Sequence, residues 1–100
     1  MKITDVQIVN LRYEYPDGEG FRYAGGKATG RLTSLVRVRT DQGLDGLGSA
    51  YSHPTLIRAV VEGNLRDILI GDDPLQVEPL WEKMYRVTRW YGRKGAAISA

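Results

Sequence analysis

The first half of the chain alternates apolar and polar positions, and the second half repeats its apolar positions every three or four residues. Ser34, Val36, Val38 and Thr40 alternate with Leu35, Arg37 and Arg39, the period-two pattern of a half-buried strand. Asp41-Gln42-Gly43 then turns the chain, with Gly43 in the left-handed position that a side chain disfavours. That register sets Arg39 opposite Asp45, an opposite-charge cross-strand pair worth a few tenths of a kcal/mol. On the return strand Gly46 and Gly48 share one face, which predicts that something packs or passes close to its backbone. Residues 2–15 read as an earlier strand. Val6 and Ile8 lie on one face, while Val9, Leu11, Tyr13 and Tyr15 continue on the other, so a bulge or bend is expected between Ile8 and Val9.

Beyond Pro54 the period changes. Leu56, Ile57, Val60, Val61, Leu65, Ile68 and Leu69 recur at helical spacing, with Ser52 or His53 as cap and Pro54 in the first turn. Arg58, Glu62 and Arg66 form a row four apart on the opposite face. Gly63 argues against one unbroken helix, and Gly71 marks its end. After Asp72-Asp73-Pro74, the positions Val77, Leu80, Trp81, Met84, Tyr85 and Thr88 make a second stripe, expected in the core, with Pro79 confined to the first turn. Ala96-Ala97-Ile98-Ser99-Ala100 opens a third helical pattern without a closing signal, as the start of a longer polypeptide would. The expected fold class is α+β: a three-stranded antiparallel meander in residues 1–50, followed by a helical bundle in residues 54–100 that stops at the start of its third helix.

Between the first two strands, residues 16–30 are glycine-rich and carry Phe21, Arg22 and Tyr23 without periodicity, which predicts a mobile functional lid. Gly25-Gly26-Lys27 is not a phosphate loop, because Phe21 stands at the leading glycine position, Ala28 follows the lysine and no helix comes after.

Composition narrows the classes. Fourteen basic against twelve acidic side chains leave a net charge of +2, too small to argue for nucleic acid or an anionic membrane. Without cysteine there are neither disulfides nor thiolate metal sites. The N-terminus has no signal-peptide pattern and no apolar run reaches membrane-spanning length, so a cytoplasmic location is the expectation. His53 is the single histidine, so no histidine pair builds a metal site, and no carboxylates stand at metal-ligand spacing. Ser52 beside His53 is adjacency, not a catalytic grouping. The basic-aromatic run from Arg86 through Arg89, Trp90 and Arg93 to Lys94 reads as a helix end and loop before it reads as a single-strand nucleic-acid surface. No catalytic set is found, and two polar, aromatic loops remain. They fit a domain that recognises or encloses something, among them a stand-alone small-ligand or peptide-binding module.

Three stretches in order carry a family resemblance. They are Met1-Lys2-Ile3-Thr4-Asp5-Val6; then Leu35-Val36-Arg37-Val38-Arg39-Thr40-Asp41-Gln42-Gly43-Leu44-Asp45-Gly46-Leu47-Gly48; then Gly71-Asp72-Asp73-Pro74-Leu75 with Leu80-Trp81-Glu82-Lys83-Met84-Tyr85. Together they resemble the N-terminal capping domain of the mandelate racemase/muconate lactonizing enzyme branch of the enolase superfamily, over essentially the whole chain. The resemblance implies a cap on a modified TIM barrel that lies in the same polypeptide and outside these residues, and a homo-oligomeric assembly. The barrel would hold Mg²⁺ on acidic side chains, and a lysine or histidine base would take the proton next to a substrate carboxylate. No catalytic or metal residue is expected on this chain. The cap's loops, residues 16–30 and 49–54 here, would close over the substrate, with Arg22, Tyr23, Tyr51 and His53 touching the polyol part of a sugar acid. Ser49 stands where the family often has glutamate. Trp90-Tyr91-Gly92-Arg93-Lys94-Gly95 is similar to acid-sugar dehydratases of the family, although racemases and cycloisomerases share this cap.

Overall fold

The computed structural model describes residues 1–100, the side chains of Ala96 and Ala97 excepted. Its strands are β1 (Ile3–Glu14), β2 (Phe21–Tyr23), β3 (Gly26–Ala28), β4 (Gly30–Thr40) and β5 (Asp45–Ala50). β1, β4 and β5 form the antiparallel meander in that order, and β2 pairs only with β3. The helices are α1 (Pro54–Val60), α2 (Arg66–Leu69), α3 (Val77–Thr88) and α4 (Ala96–Ser99). The fold is the expected α+β arrangement of a meander followed by helices.

Gly43 has φ 75° and donates its N–H to the Thr40 carbonyl, closing the β4–β5 turn as its sequence demands. Arg39 does stand opposite Asp45 in the ladder, but the Asp45 carboxylate accepts instead from Arg37, whose Nε lies 2.9 Å away. Both arginines share the outer face, and a carboxylate within reach of a diagonal neighbour is free to choose it.

The expected bulge lies elsewhere. Pairing is continuous from Val6↔Val38 to Glu14↔Gly30, and the register shift falls between Ile3 and Asp5. That early shift puts Ile3 in phase with Val6 and Ile8, which are all buried. Val9, Leu11 and Tyr13 need no irregularity: they occupy the outer face and remain exposed.

Ile3, Val6 and Ile8 meet Ile57, Val61, Leu65 and Leu69 to form the core, with Val36, Val38, Leu80 and Met84 packed against it. Gly63 sits in a π-helical turn, Val61–Leu65, which joins α1 to α2 and keeps both Val61 and Leu65 buried. The wider turn breaks the charge row. Arg58 keeps Glu62 at 4.0 Å, whereas Arg66 reaches across to Asp5 on β1, Nε to Oδ1 2.8 Å. Gly71, at φ 90°, follows α2 and donates to the Ile3 carbonyl, while the Ile3 N–H donates to Asp72. Lys83 on α3 binds Asp72 at 2.7 Å, so one connector ties the sheet to α3.

Pro79 lies in the first turn of α3, as its missing N–H requires. The α3 stripe is only partly core. Leu80 and Met84 pack inward and Thr88 is buried, but Trp81 is exposed and stacks on Tyr85 with centroids 5.3 Å apart.

Nothing in the described residues covers Gly46 and Gly48, since a Cβ at either would meet no atom within 4 Å. They line an open apolar groove of about 580 Å³ with Val36, Val38, Leu80 and Met84.

Candidate functional site

The site is set by strand direction. β1 and β5 run one way and β4 the other, so the segments after β1 and after β5 leave from the same end of the sheet. Glu14 pairs with Gly30 and Ala50 with Ser34. The two exits are therefore separated by four β4 residues, about 13 Å along the strand, and by two strand spacings, about 10 Å across it. Ser34 anchors this end: it is fully buried, and its Oγ donates to Asn10 Oδ1 at 2.8 Å.

The first segment, residues 16–30, read from sequence as a mobile lid without periodicity, contains secondary structure. It folds into a short hairpin in which Phe21 pairs with Ala28, Arg22 with Lys27 and Tyr23 with Gly26. Three-residue strands are too short for a periodic signal to register in the sequence. Gly26, at φ 139°, permits the turn. Glycine is also required at Gly30, where a Cβ would overlap the Tyr13 carbonyl oxygen. Arg22 and Tyr23 thus ride on a hairpin arm, both exposed.

The second segment carries Tyr51 and His53. His53 caps α1, accepting the Thr55 N–H at Nδ1 over 3.3 Å, and its backbone carbonyl accepts from Leu56 and Ile57. With Nδ1 engaged as an acceptor, a neutral ring carries its proton on Nε2, leaving a donor toward solvent. Tyr51 projects into solvent, 82% exposed. The structure brings Arg22, Tyr23, Tyr51 and His53 to one end of the sheet, on two separate supports.

Three further residues join the arm and were not singled out for the site by sequence: Tyr15, Phe21 and Arg31. Rings run Tyr13–Tyr15–Phe21–Tyr23 with successive centroids 5.9, 6.3 and 6.4 Å apart. Arg31 Nε donates to the Tyr15 hydroxyl at 2.7 Å, and its guanidinium carbon lies 5.7 Å from the Phe21 centroid. The available signal was the every-second-residue recurrence of aromatics in Tyr13-x-Tyr15 and Phe21-x-Tyr23, with an arginine opening the next strand.

The end of the sheet offers a guanidinium, an imidazole N–H and phenolic hydroxyls. These suit recognition of hydroxyl and carboxylate oxygens, and no nucleophile paired with a base accompanies them. Among the described residues no three His, Cys, Asp or Glu side chains group as metal ligands, so these residues do not fit Mg²⁺. The Asp5 carboxyl is held below its ordinary range. The Arg66 hydrogen bond is the main cause, opposed by partial desolvation, and the pair joins β1 to α2 away from the loops. The basic-aromatic run starts in the last turn of α3 and continues beyond it, where the Arg89 guanidinium carbon lies 5.6 Å from the Trp90 ring centroid. No helix among the described residues is long and apolar enough to cross a membrane.

Comparison with known proteins agrees with this architecture. A family model described as "Mandelate racemase / muconate lactonizing enzyme, N-terminal domain" matches residues 18–100. The arabinonate dehydratase of Saccharolobus solfataricus is 34% identical over 101 residues, which cover 97% of this chain and 27% of that protein. A D-galactonate dehydratase family member of Paenibacillus is 41% identical over 68 residues, covering 65% of this chain and 16% of that protein. The crystal structure of a racemase from Streptomyces coelicolor A3(2) with bound magnesium superposes with a TM-score of 0.83 at 26% identity, over 95% of this chain and 27% of that one. The chain spans about a quarter of the length of these relatives, or less. With the meander, the helices and the family match in accord, this chain belongs to the mandelate racemase/muconate lactonizing enzyme N-terminal domain family.

Proposed function

We propose that this chain is the substrate-specificity cap of a Mg²⁺-dependent enolase-superfamily enzyme that acts on a sugar acid, removing the proton next to its carboxylate and dehydrating it. The observation that carries the reading is the common exit of the two loops. One end of the sheet presents Arg22 and Tyr23 on an arm and Tyr51 and His53 at a helix cap. Donors spread along a rim suit an extended polyol, whose hydroxyls each take one hydrogen bond. The dehydratases among the relatives support the substrate class, and the magnesium-bound racemase supports the metal.

In this reading the cap contributes no step of the chemistry. Arg22 would take an anionic or hydroxyl oxygen, His53 would donate from Nε2, and the tyrosines would exclude water and bond to hydroxyls. The base and the Mg²⁺ ligands belong to a barrel in the same polypeptide. The open groove floored by Gly46 and Gly48 suits a face that another part of that polypeptide covers.

The test is a sugar-acid panel assayed on the full-length enzyme and its Arg22→Ala and His53→Ala variants. The expected outcome is a changed order of preferred substrates with Mg²⁺ affinity intact. Unaltered preference in both variants would remove these residues from the site, and turnover by the 100-residue chain with Mg²⁺ would overturn the division of labour.

A further inference from the structure

Residues 16–30 form an arm whose order has to be supplied from outside it. β2 and β3 are three residues each and bond only to one another. A lone two-stranded pair of that length is marginal in water. At its base the Tyr15 N–H donates to the Thr29 carbonyl at 2.8 Å, which extends the β1–β4 ladder by one step and leaves the arm's direction undetermined. Direction comes from side chains.

We infer that Arg31 is the positioning residue of this arm: it ties Tyr15 at the end of β1 to Phe21 on β2, and so sets where Arg22 and Tyr23 stand. Two contacts of different kinds meet on one guanidinium. Nε donates to the Tyr15 hydroxyl at 2.7 Å, and the cationic carbon lies 5.7 Å from the Phe21 ring centroid. Tyr15 also touches Phe21 directly, with centroids 6.3 Å apart and planes tilted by 48°, so arginine, tyrosine and phenylalanine close a three-membered cluster. Gly30, immediately before Arg31, lets β4 run close under the Tyr13 carbonyl. Arg31 therefore starts beside a point where the two backbones approach closely. A planar fork that bonds at its edge and stacks on its face is specific to arginine, and lysine reproduces the charge without the plane.

The inference rests on the reading that the arm contacts substrate, and two separate readouts keep them apart. The first is peptide-level hydrogen exchange on the full-length protein. In Arg31→Ala, exchange across residues 20–29 is expected to accelerate about tenfold, the scale of one charge-assisted hydrogen bond plus a cation–π contact. Residues 36–40 should keep their protection, and Arg31→Lys should recover part of the loss. If Arg31→Ala unfolds the whole sheet, Tyr15→Phe, which deletes only the hydroxyl, carries the test through the same selective acceleration. Unchanged exchange over residues 20–29 overturns the inference. The second readout is kinetic: KM for the preferred sugar acid rises in Arg31→Ala by more than kcat falls. Selective acceleration with both constants unchanged supports the positioning role and overturns the substrate-contact reading of the arm.

Discussion

Gly48→Ala separates what this chain does alone from what it does within a longer polypeptide. Gly48 pairs with Val36 on the edge strand β5, has no left-handed φ, and faces the apolar groove. A methyl group there meets no atom within 4 Å. In the 100-residue chain the substitution therefore relieves the entropic penalty of glycine in a strand without creating overlap, and stabilises by about 0.5 kcal/mol. For a domain of this size that is a rise in Tm of roughly 2–4 °C. If the proposed barrel covers this groove in the full-length protein, the same methyl enters a filled space, and overpacking destabilises by about 1–3 kcal/mol. The two effects differ in sign. Urea unfolding followed by far-UV circular dichroism, on the chain and on the full-length protein with and without the substitution, measures both. Gly46→Ala, on the same face, should behave alike. A shift of the same sign and size in both contexts would mean that nothing rests on these glycines, and the docking argument would fail.

Two other outcomes follow from the core and from the Asp5–Arg66 pair. Ile57 is 1% exposed and packs α1 against the sheet, so Ile57→Ala should destabilise by about 2–5 kcal/mol in urea unfolding, enough to unfold much of an isolated domain. The Asp5 carboxyl is held below its ordinary range by Arg66, so its contribution to stability is present above the unfolded-state value and disappears as pH falls through the lower folded-state value. Asp5→Asn should flatten the loss of Tm between about pH 5 and pH 2 while leaving its slope near neutrality unchanged. An acid limb identical to that of the parent protein would show that the pair contributes nothing to folding.

Local chemistry was readable wherever a residue's own backbone or spacing dictates the outcome. Gly43 closes the hairpin because only glycine takes that φ without strain, and Pro54 with His53 opens α1 because the first helical turn needs a cap and can spare an N–H. The apolar recurrences from Ile57 to Leu69 built the buried helix face, and Gly63 marked where its regularity changes. Partner choice was not readable. Asp45 turned to Arg37 rather than Arg39, and Arg66 left its helical row for Asp5, because more than one opposite charge stood within reach and the fold determined which one arrived.

The candidate site divides along the same line. Sequence pattern singled out the two loops, and the family resemblance nominated Arg22, Tyr23, Tyr51 and His53 within them. Their convergence at one end of the sheet came from antiparallel topology, which links positions about thirty residues apart by strand direction. The arm's order came from Arg31 meeting Tyr15 and Phe21 across sixteen and ten residues, a contact that no periodicity encodes. Sequence determined the elements, because helices, turns and strand faces answer to neighbours a few positions away. Tertiary structure alone decided which side chains meet and which glycines stay uncovered, because those depend on strand order and on how two layers lie against each other.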